Sequence, residues 1–283
     1  MTHTGKVLIG IGAAKSGTTW LFQNLRSHPQ MHAMPLKELH YFDQLHGENQ
    51  FPGRFHEAEL ILHTREKEEA NDPFVKAQTD WLRKYIAPVT LDDRWYVSLL
   101  EGASDRVPLD ISPGYAVMSE RGFSHMKSLL PNAQVVFMMR NPMERAWSQF
   151  RKDVFERTTK PMTNAHMMDI LDWSVFAERS NYTETIRRLD NAFDDAHVTY
   201  AFYEDVFANP LGFLSGLCRS LGVDFAPSLF PHTDARSNIS RNLAIPSEVG
   251  AHLVRRYARV CESVEARFGR VPPSWSESVR RNT

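Results

Sequence analysis

Gly12-Ala13-Ala14-Lys15-Ser16-Gly17-Thr18-Thr19-Trp20 is a glycine-bounded loop carrying one lysine and three hydroxyls. It follows the apolar run Val7 to Gly12 and precedes an apolar helical stripe of Trp20, Leu21 and Leu25. Backbone N–H groups in a strand-to-helix loop, with the helix N-terminus, form a cradle for anions. Gly12, Gly17 and Thr19 follow the spacing of the nucleotide-binding pattern G-x-x-x-x-G-K-[ST]. Thr18 stands where that pattern has its lysine, and Lys15 lies inside the loop instead. A second apolar run, Gln134 to Met139, ends in Arg140. Phosphoryl-transfer sites that use Mg²⁺ commonly place an acid there. An arginine repels a metal and attracts a phosphate. Together these departures predict a site for an anionic nucleotide with no metal. Plainer roles compete: Ser16, Thr18 and Thr19 suit helix capping, and Arg140 suits a structural ion pair. Trp20 fits the core as well as it fits an adenine.

These residues carry a resemblance to the sulfotransferases that use 3′-phosphoadenosine 5′-phosphosulfate (PAPS). Lys15 to Leu21 resembles that family's 5′-phosphosulfate loop. Arg140-Asn141-Pro142 through Arg145-Ala146-Trp147-Ser148 resembles its 3′-phosphate motif. The resemblance implies that Arg140 and Ser148 bind the 3′-phosphate. Tyr203-Glu204-Asp205 resembles a later segment whose tyrosine reaches the adenine. The motifs stand in the family's order over roughly residues 7 to 210. The donor-binding set so implied is Lys15, Ser16, Gly17, Thr18, Thr19, Trp20, Arg140, Ser148 and Tyr203.

Pro35 to Asp43 resembles the branch that includes heparan sulfate O-sulfotransferases and many bacterial enzymes. That branch has a Glu-x-His-aromatic-Phe segment whose glutamate is taken as the catalytic base. Glu38 matches the glutamate and His40 the histidine. An acceptor hydroxyl must lose its proton as it attacks sulfur, and a carboxylate or imidazole can take it. On an extended segment Glu38 and His40 share a face, so His40 can instead orient Glu38. Two departures stand out. Ile111, in Asp110 to Tyr115, occupies a place where the family often has lysine. The family's Arg/Lys-Gly-rich loop over the nucleotide is absent, and Arg236 and Arg241 are the candidate cations in its place.

The surrounding elements must hold these groups. Val7 to Gly12, Gln134 to Met139, Val198 to Phe202 and the weaker Val107 to Ile111 read as buried strands. Helical stretches fill the gaps: Thr18 to Ser27, Glu120 to Leu130, from Pro142 onward, Tyr182 to Phe193, Pro210 to Leu221 and Ser247 to Phe268. The alternation predicts a single three-layer α/β domain with a central parallel sheet and a P-loop-like nucleotide site. Residues 51 to 96 are charged and helix-prone. They read either as a solvated helical face or as a helical cap on the acceptor side, spanning about 45–105.

The chain's 283 residues, 42% apolar, suffice for one sizeable core. A net charge of −1 offers no overall case for nucleic-acid binding. Two cysteines, Cys218 and Cys261, read as buried thiols in a reducing compartment. The short apolar run near the N-terminus is no secretion signal, and no stretch reaches the ~18 to 20 apolar residues that span a membrane. The expectation is a cytoplasmic, metal-independent transferase. It would pass a sulfuryl group from PAPS to a hydroxyl or amine of a small-molecule, lipid or glycan acceptor. Two rivals are a P-loop nucleotide kinase and a non-catalytic nucleotide-binding protein. The sequence carries no sign of oligomeric state.

Overall fold

The computed structural model describes residues 2–46, 54–67, 72–87, 90–103, 105–158, 160–234 and 243–282. Its centre is one five-stranded sheet, parallel throughout, in the order β2-β3-β1-β4-β5. The strands are β1 (Val7–Gly12), β2 (Met31–Ala33), β3 (Val107–Ile111), β4 (Ala133–Met139) and β5 (Val198–Phe202). Every residue of β1, β3 and β4 is buried. Strands covered on both faces read as continuous apolar runs, which is why β1 and β4 are plain in the sequence.

The period of two separates the faces. Val7, Ile9, Ile11, Val135, Phe137 and Met139 enter the larger core, whereas Leu8, Val136 and Met138 enter the smaller one. The smaller core takes α1 (Thr18–Leu25). The larger takes α2 (Tyr41–Leu45), α4 (Pro73–Ile86), α5 (Asp93–Leu100), α6 (Glu120–Leu129) and α7 (Pro142–Asp153), with α3 (Arg54–Arg65) packed on α4. It also takes α8 (Asn164–Leu171), α9 (Ser174–Ala177) and α10 (Tyr182–Ala192). The chain returns to the smaller core through α11 (Tyr203–Ala208) and α12 (Pro210–Leu221). It closes on the larger core with α13 (Ser247–Phe268) and α14 (Pro273–Asn282). Helices thus cover both faces of a parallel sheet, the three-layer α/β architecture expected.

The chain builds β3 on one side of β1 and then crosses to build β4 on the other. Such a switch opens a crevice at the carboxyl ends of the strands, where open α/β sheets take their ligands. The glycine loop leaves β1 there and Arg140 leaves β4 there.

Residues 54–100 are more than a solvated surface. Trp81, Tyr85, Trp95 and Tyr96 are buried and join the main core. Trp81 stacks on Tyr85 with ring centroids 5.5 Å apart, and Tyr96 stacks on Tyr41 at 4.6 Å. The charged residues of this stretch had masked its aromatic stripe. Strand β2 was unforeseen because three edge residues carry too little pattern, and α14 was unforeseen as well. Cys218 and Cys261 are free and buried. Among the described residues no helix is long and apolar enough to cross a membrane.

Candidate functional site

The loop after β1 is held from below. Ala13 N donates to Met138 O at 2.7 Å, tying it to β4, and Ser16 N donates to Ala13 O at 3.1 Å. Gly17 caps α1 in the left-handed region, at φ 88°. That conformation favours glycine, and the space does too: a Cβ there would lie 3.1 Å from Phe207, 3.3 Å from Met138 and 3.4 Å from Tyr203. Gly17 therefore lets the loop and Tyr203 approach closely. Ser16 and Thr18 are buried. Lys15 is half-buried, and burial pulls its ammonium pKa below the usual range, with Asp153 opposing.

Arg140, at the end of β4, lies over the ring of Tyr203, its guanidinium carbon 4.9 Å from the centroid. Its Nη2 donates to Glu144 at 2.9 Å, while its Nε is buried with no hydrogen-bond partner among the described residues. Its carbonyl accepts from the Tyr182 hydroxyl at 2.7 Å. Next to it, the Asn141 side chain caps α7 by accepting from Met143 N and Glu144 N. Asn141 N donates to Glu204 Oε1 at 3.0 Å, and the same oxygen accepts from Trp275 Nε1. Tyr203 thus belongs to the site through Arg140 and Gly17, while Glu204 fastens the strand end. Asp205 pairs with Arg270 on the surface. Ser148, two turns into α7, is buried.

Trp20 is placed differently. It is 1% exposed, packs on Phe207 and Phe213, and spends its indole N–H on Thr233 O at 3.1 Å. Its surroundings are those of a core residue. Arg236 and Arg241 lie outside the described residues.

The segment before α2 forms a second cluster. His40 stands between two carboxylates, with Nε2 3.2 Å from Glu38 Oε2 and Nδ1 2.7 Å from Asp43 Oδ2. Lys37 Nζ holds the other oxygen of Glu38 at 2.7 Å. Burial lowers the His40 pKa, but the two carboxylates outweigh it and raise it to about 9. Burial raises that of Glu38, but the contacts with His40 and Lys37 outweigh it and hold it at about 2. His40 is therefore imidazolium at neutral pH and Glu38 is carboxylate. Gly114 makes the close fit possible, because a Cβ there would collide with Asp43 Oδ2 and lie 3.3 Å from the His40 ring.

The end of β3 anchors this cluster. Ser112 Oγ accepts from Leu39 N at 2.9 Å and donates to Asp110 Oδ1 at 2.6 Å. Tyr115 accepts from Tyr41 N at 3.0 Å and donates to Asp110 Oδ2 at 2.9 Å. Tyr96 donates to the same oxygen at 3.0 Å. Burial pushes the Asp110 carboxyl up to about 6 despite its three hydroxyl donors. From the other side Tyr85 donates to Leu39 O at 3.1 Å and Tyr41 to Asp93 Oδ1 at 2.5 Å. Helices α4 and α5 therefore rest directly on the Glu38 segment. Sequence patterns did not single out Asp43, Asp110 or Ser112 as anchors. The spacing of Asp110 and Ser112, two apart on extended chain, put them on one face and was the available signal.

The profile described as "Sulfotransferase family" matches residues 8–227. No curated protein matches the chain. Among solved structures, a sulfotransferase from Alicyclobacillus acidocaldarius is 19% identical, with TM-score 0.64, 98% of this chain and 100% of that chain covered. The sulfotransferase domain of the Synechococcus PCC 7002 olefin synthase is 17% identical, with TM-score 0.58 and coverage of 92% and 96%. The sulfotransferase domain of the curacin biosynthetic pathway is 16% identical, with TM-score 0.56 and coverage of 92% and 98%. At such identities the structural likeness speaks for the fold alone. The family match spans most of the chain, glycine loop, Arg140 and Tyr203 included, and on it the chain belongs to the sulfotransferase family.

Proposed function

We propose that the protein transfers a sulfuryl group from PAPS to a hydroxyl or amine of a small-molecule, lipid or glycan acceptor. The observation that carries this reading is the convergence of two cationic anchors, Lys15 after β1 and Arg140 after β4, at one crevice, with Tyr203 touching both loops. The buried, unpartnered Nε of Arg140 fits an additional anion such as a 3′-phosphate. The match to the family supports the chemistry. Two buried free thiols suit a reducing, cytoplasmic setting. We place residues 1–283 in one sulfotransferase domain, with the helices within about 45–105 forming its acceptor side.

Arg140 and Ser148 hold the 3′-phosphate and set the donor's register. The N–H groups of residues 15 to 19 cradle the 5′-phosphate, with the hydroxyls of Ser16, Thr18 and Thr19 beside them. Lys15 stabilises the charge that grows on the bridging oxygen as it leaves. Glu38 takes the acceptor's proton, because His40 already carries one below about pH 9. A carboxylate held at about 2 is a weak base, but the donor's negative charge nearby raises it. His40, fixed by Asp43, orients Glu38.

The test is incubation with sulfur-labelled PAPS and an extract of the host, followed by identification of the labelled product. Transfer should persist in EDTA. Abolition by the chelator and recovery with Mg²⁺ would instead favour a phosphoryl-transfer enzyme.

A further inference from the structure

Arg179 is a cation that no other part of the site accounts for. It lies in the short 3-10 helix Glu178–Ser180, between α9 and α10. Its Nε is buried with no hydrogen-bond partner, and its guanidinium makes no ion pair among the described residues. The turn that carries it is rigid. Arg145, fully buried on α7, donates to Ser180 Oγ at 2.5 Å, to Phe176 O at 2.9 Å and to Gln149 Oε1 at 2.8 Å. Ser180 Oγ in turn donates to Pro142 O at 3.0 Å. Arg145 thus spends its donors on structure, while its neighbour Arg179 spends none among the described residues.

Position gives that unspent cation its meaning. The turn packs against α7 and against the 3-10 helix Pro113–Val117. Gly114 of that helix lies directly against Asp43 and the His40 ring. Burial lowers the Arg179 pKa, with the charges of Asp153, Glu38 and Asp43 opposing. Asp153 acts on Lys15 in the same way. An arginine remains protonated even so. Arg179 therefore lies within electrostatic reach of Glu38 and Asp43, and it shares the charge of Asp153 with Lys15.

We propose that Arg179 is a further catalytic residue, which donates hydrogen bonds to the sulfuryl oxygens during transfer. This assignment rests on the PAPS reading given above. In the step, the bond from sulfur to the bridging phosphate oxygen breaks and its electron pair stays on that oxygen. The acceptor oxygen or nitrogen bonds to sulfur, and its proton passes to Glu38. Negative charge is spread over the three sulfuryl oxygens throughout. A planar guanidinium matches such oxygens well, and a partly buried donor aimed where charge develops acts most strongly there.

The experiment compares wild type, Arg179→Gln and Arg179→Lys in transfer from labelled PAPS at saturating donor. Binding of 3′-phosphoadenosine 5′-phosphate and the thermal midpoint are measured alongside. Arg179→Gln should lose about 10²-fold or more in turnover, the scale of removing one preorganised donor. Product-nucleotide affinity and thermal midpoint should hold, and Arg179→Lys should recover part of the rate. Unchanged turnover in Arg179→Gln overturns the assignment. So does a loss of nucleotide affinity parallel to the loss of rate, which makes Arg179 a donor anchor, or a higher acceptor KM alone, which makes it an acceptor anchor. If both variants lose rate only as their midpoints fall, Arg179 is structural and the assignment again fails. A wild type that transfers no label overturns the PAPS reading itself, whereas transfer by wild type and Arg179→Gln alike overturns only the role of Arg179.

Discussion

The two sides of the crevice, donor and acceptor on the function proposed above, are built on opposite principles. On the donor side, Lys15 is half-buried and Arg140 keeps a buried, unpartnered Nε. Most of the cradle there is backbone, shaped by Gly17 and pinned to β4. On the acceptor side nearly every polar group is already paired. Lys37, Glu38, His40 and Asp43 form one chain of charges, and Asp110 gathers three hydroxyls beneath it. On the proposed reading the donor side is left for a dianionic ligand to complete, with Arg140 only partly paired, through Glu144. The acceptor side is complete in itself and holds one carboxylate in a fixed place. Variants on the first side should therefore change binding and rate with little effect on stability. Variants on the second should change both.

Lys15→Ala tests that contrast most sharply. Turnover should fall by about 10²- to 10³-fold, as when one preorganised donor to a developing oxyanion is removed. The thermal midpoint should stay put, since Lys15 makes no hydrogen bond or ion pair among the described residues. A lower midpoint with turnover intact would move Lys15 from chemistry to structure.

Glu38→Gln should lose at least about 10²-fold in kcat, the lower end for a general base. His40→Ala should lose less. Side-by-side rates at saturating PAPS decide between them, and the deader enzyme names the base. Arg140→Ala should weaken 3′-phosphoadenosine 5′-phosphate by about tenfold or more, the worth of one or two charge-assisted contacts. AMP, which lacks the 3′-phosphate, should bind nearly as before. Calorimetry that found equal losses for both nucleotides would separate Arg140 from the 3′-phosphate.

Ser112→Ala touches only the anchor. It leaves Leu39 N and the Asp110 carboxylate short of a partner in a fully buried place. Denaturant unfolding should show a loss of about 1–3 kcal/mol, the range for a stranded buried group. An unchanged midpoint would mean that β3 does not hold the Glu38 segment.

The remaining effect is that of pH. His40 has its pKa raised from 6.5 to about 9 on folding. Its contribution to stability is complete below pH 6.5 and is lost as pH rises toward about 9. Glu38 has its pKa lowered from 4.5 to about 2, so its contribution is complete above pH 4.5 and is lost on acidification through about 2. The thermal midpoint should drift downward between pH 6.5 and 9 in wild type, and that drift should shrink in His40→Ala. Equal slopes in the two proteins would show that His40 is not held by its carboxylates.

The sequence by itself determined most of the sheet and the two loops that leave its carboxyl edge. Strands β1 and β4 announced themselves by apolar runs, because parallel strands covered on both faces have no polar period to confuse them; β3, with its proline and aspartate, was fainter, and β5 is a half-buried edge strand. The glycine loop and Arg140 were legible because each motif is local: a strand end, a loop and a helix start adjacent in the chain. Trp20 was left between core and nucleotide, since an aromatic on a helical stripe satisfies both patterns until its neighbours Phe207 and Phe213 are known. What only the tertiary structure decided is the acceptor side. Glu38 and His40 were named from their segment, but their protonation states follow from Lys37 and Asp43 closing around them. Ser112 and Tyr115 reach that segment from more than 70 residues away in the chain, both resting on Asp110. Tyr85 and Asp93 reach it from helices whose charged surface hid their purpose. Arg179 and Arg145, two arginines no spacing distinguishes, take opposite parts because folding pairs one with Ser180, Gln149 and Phe176 and leaves the other unspent. Contacts between distant segments, and the electrostatics of burial they create, have no local period to be read.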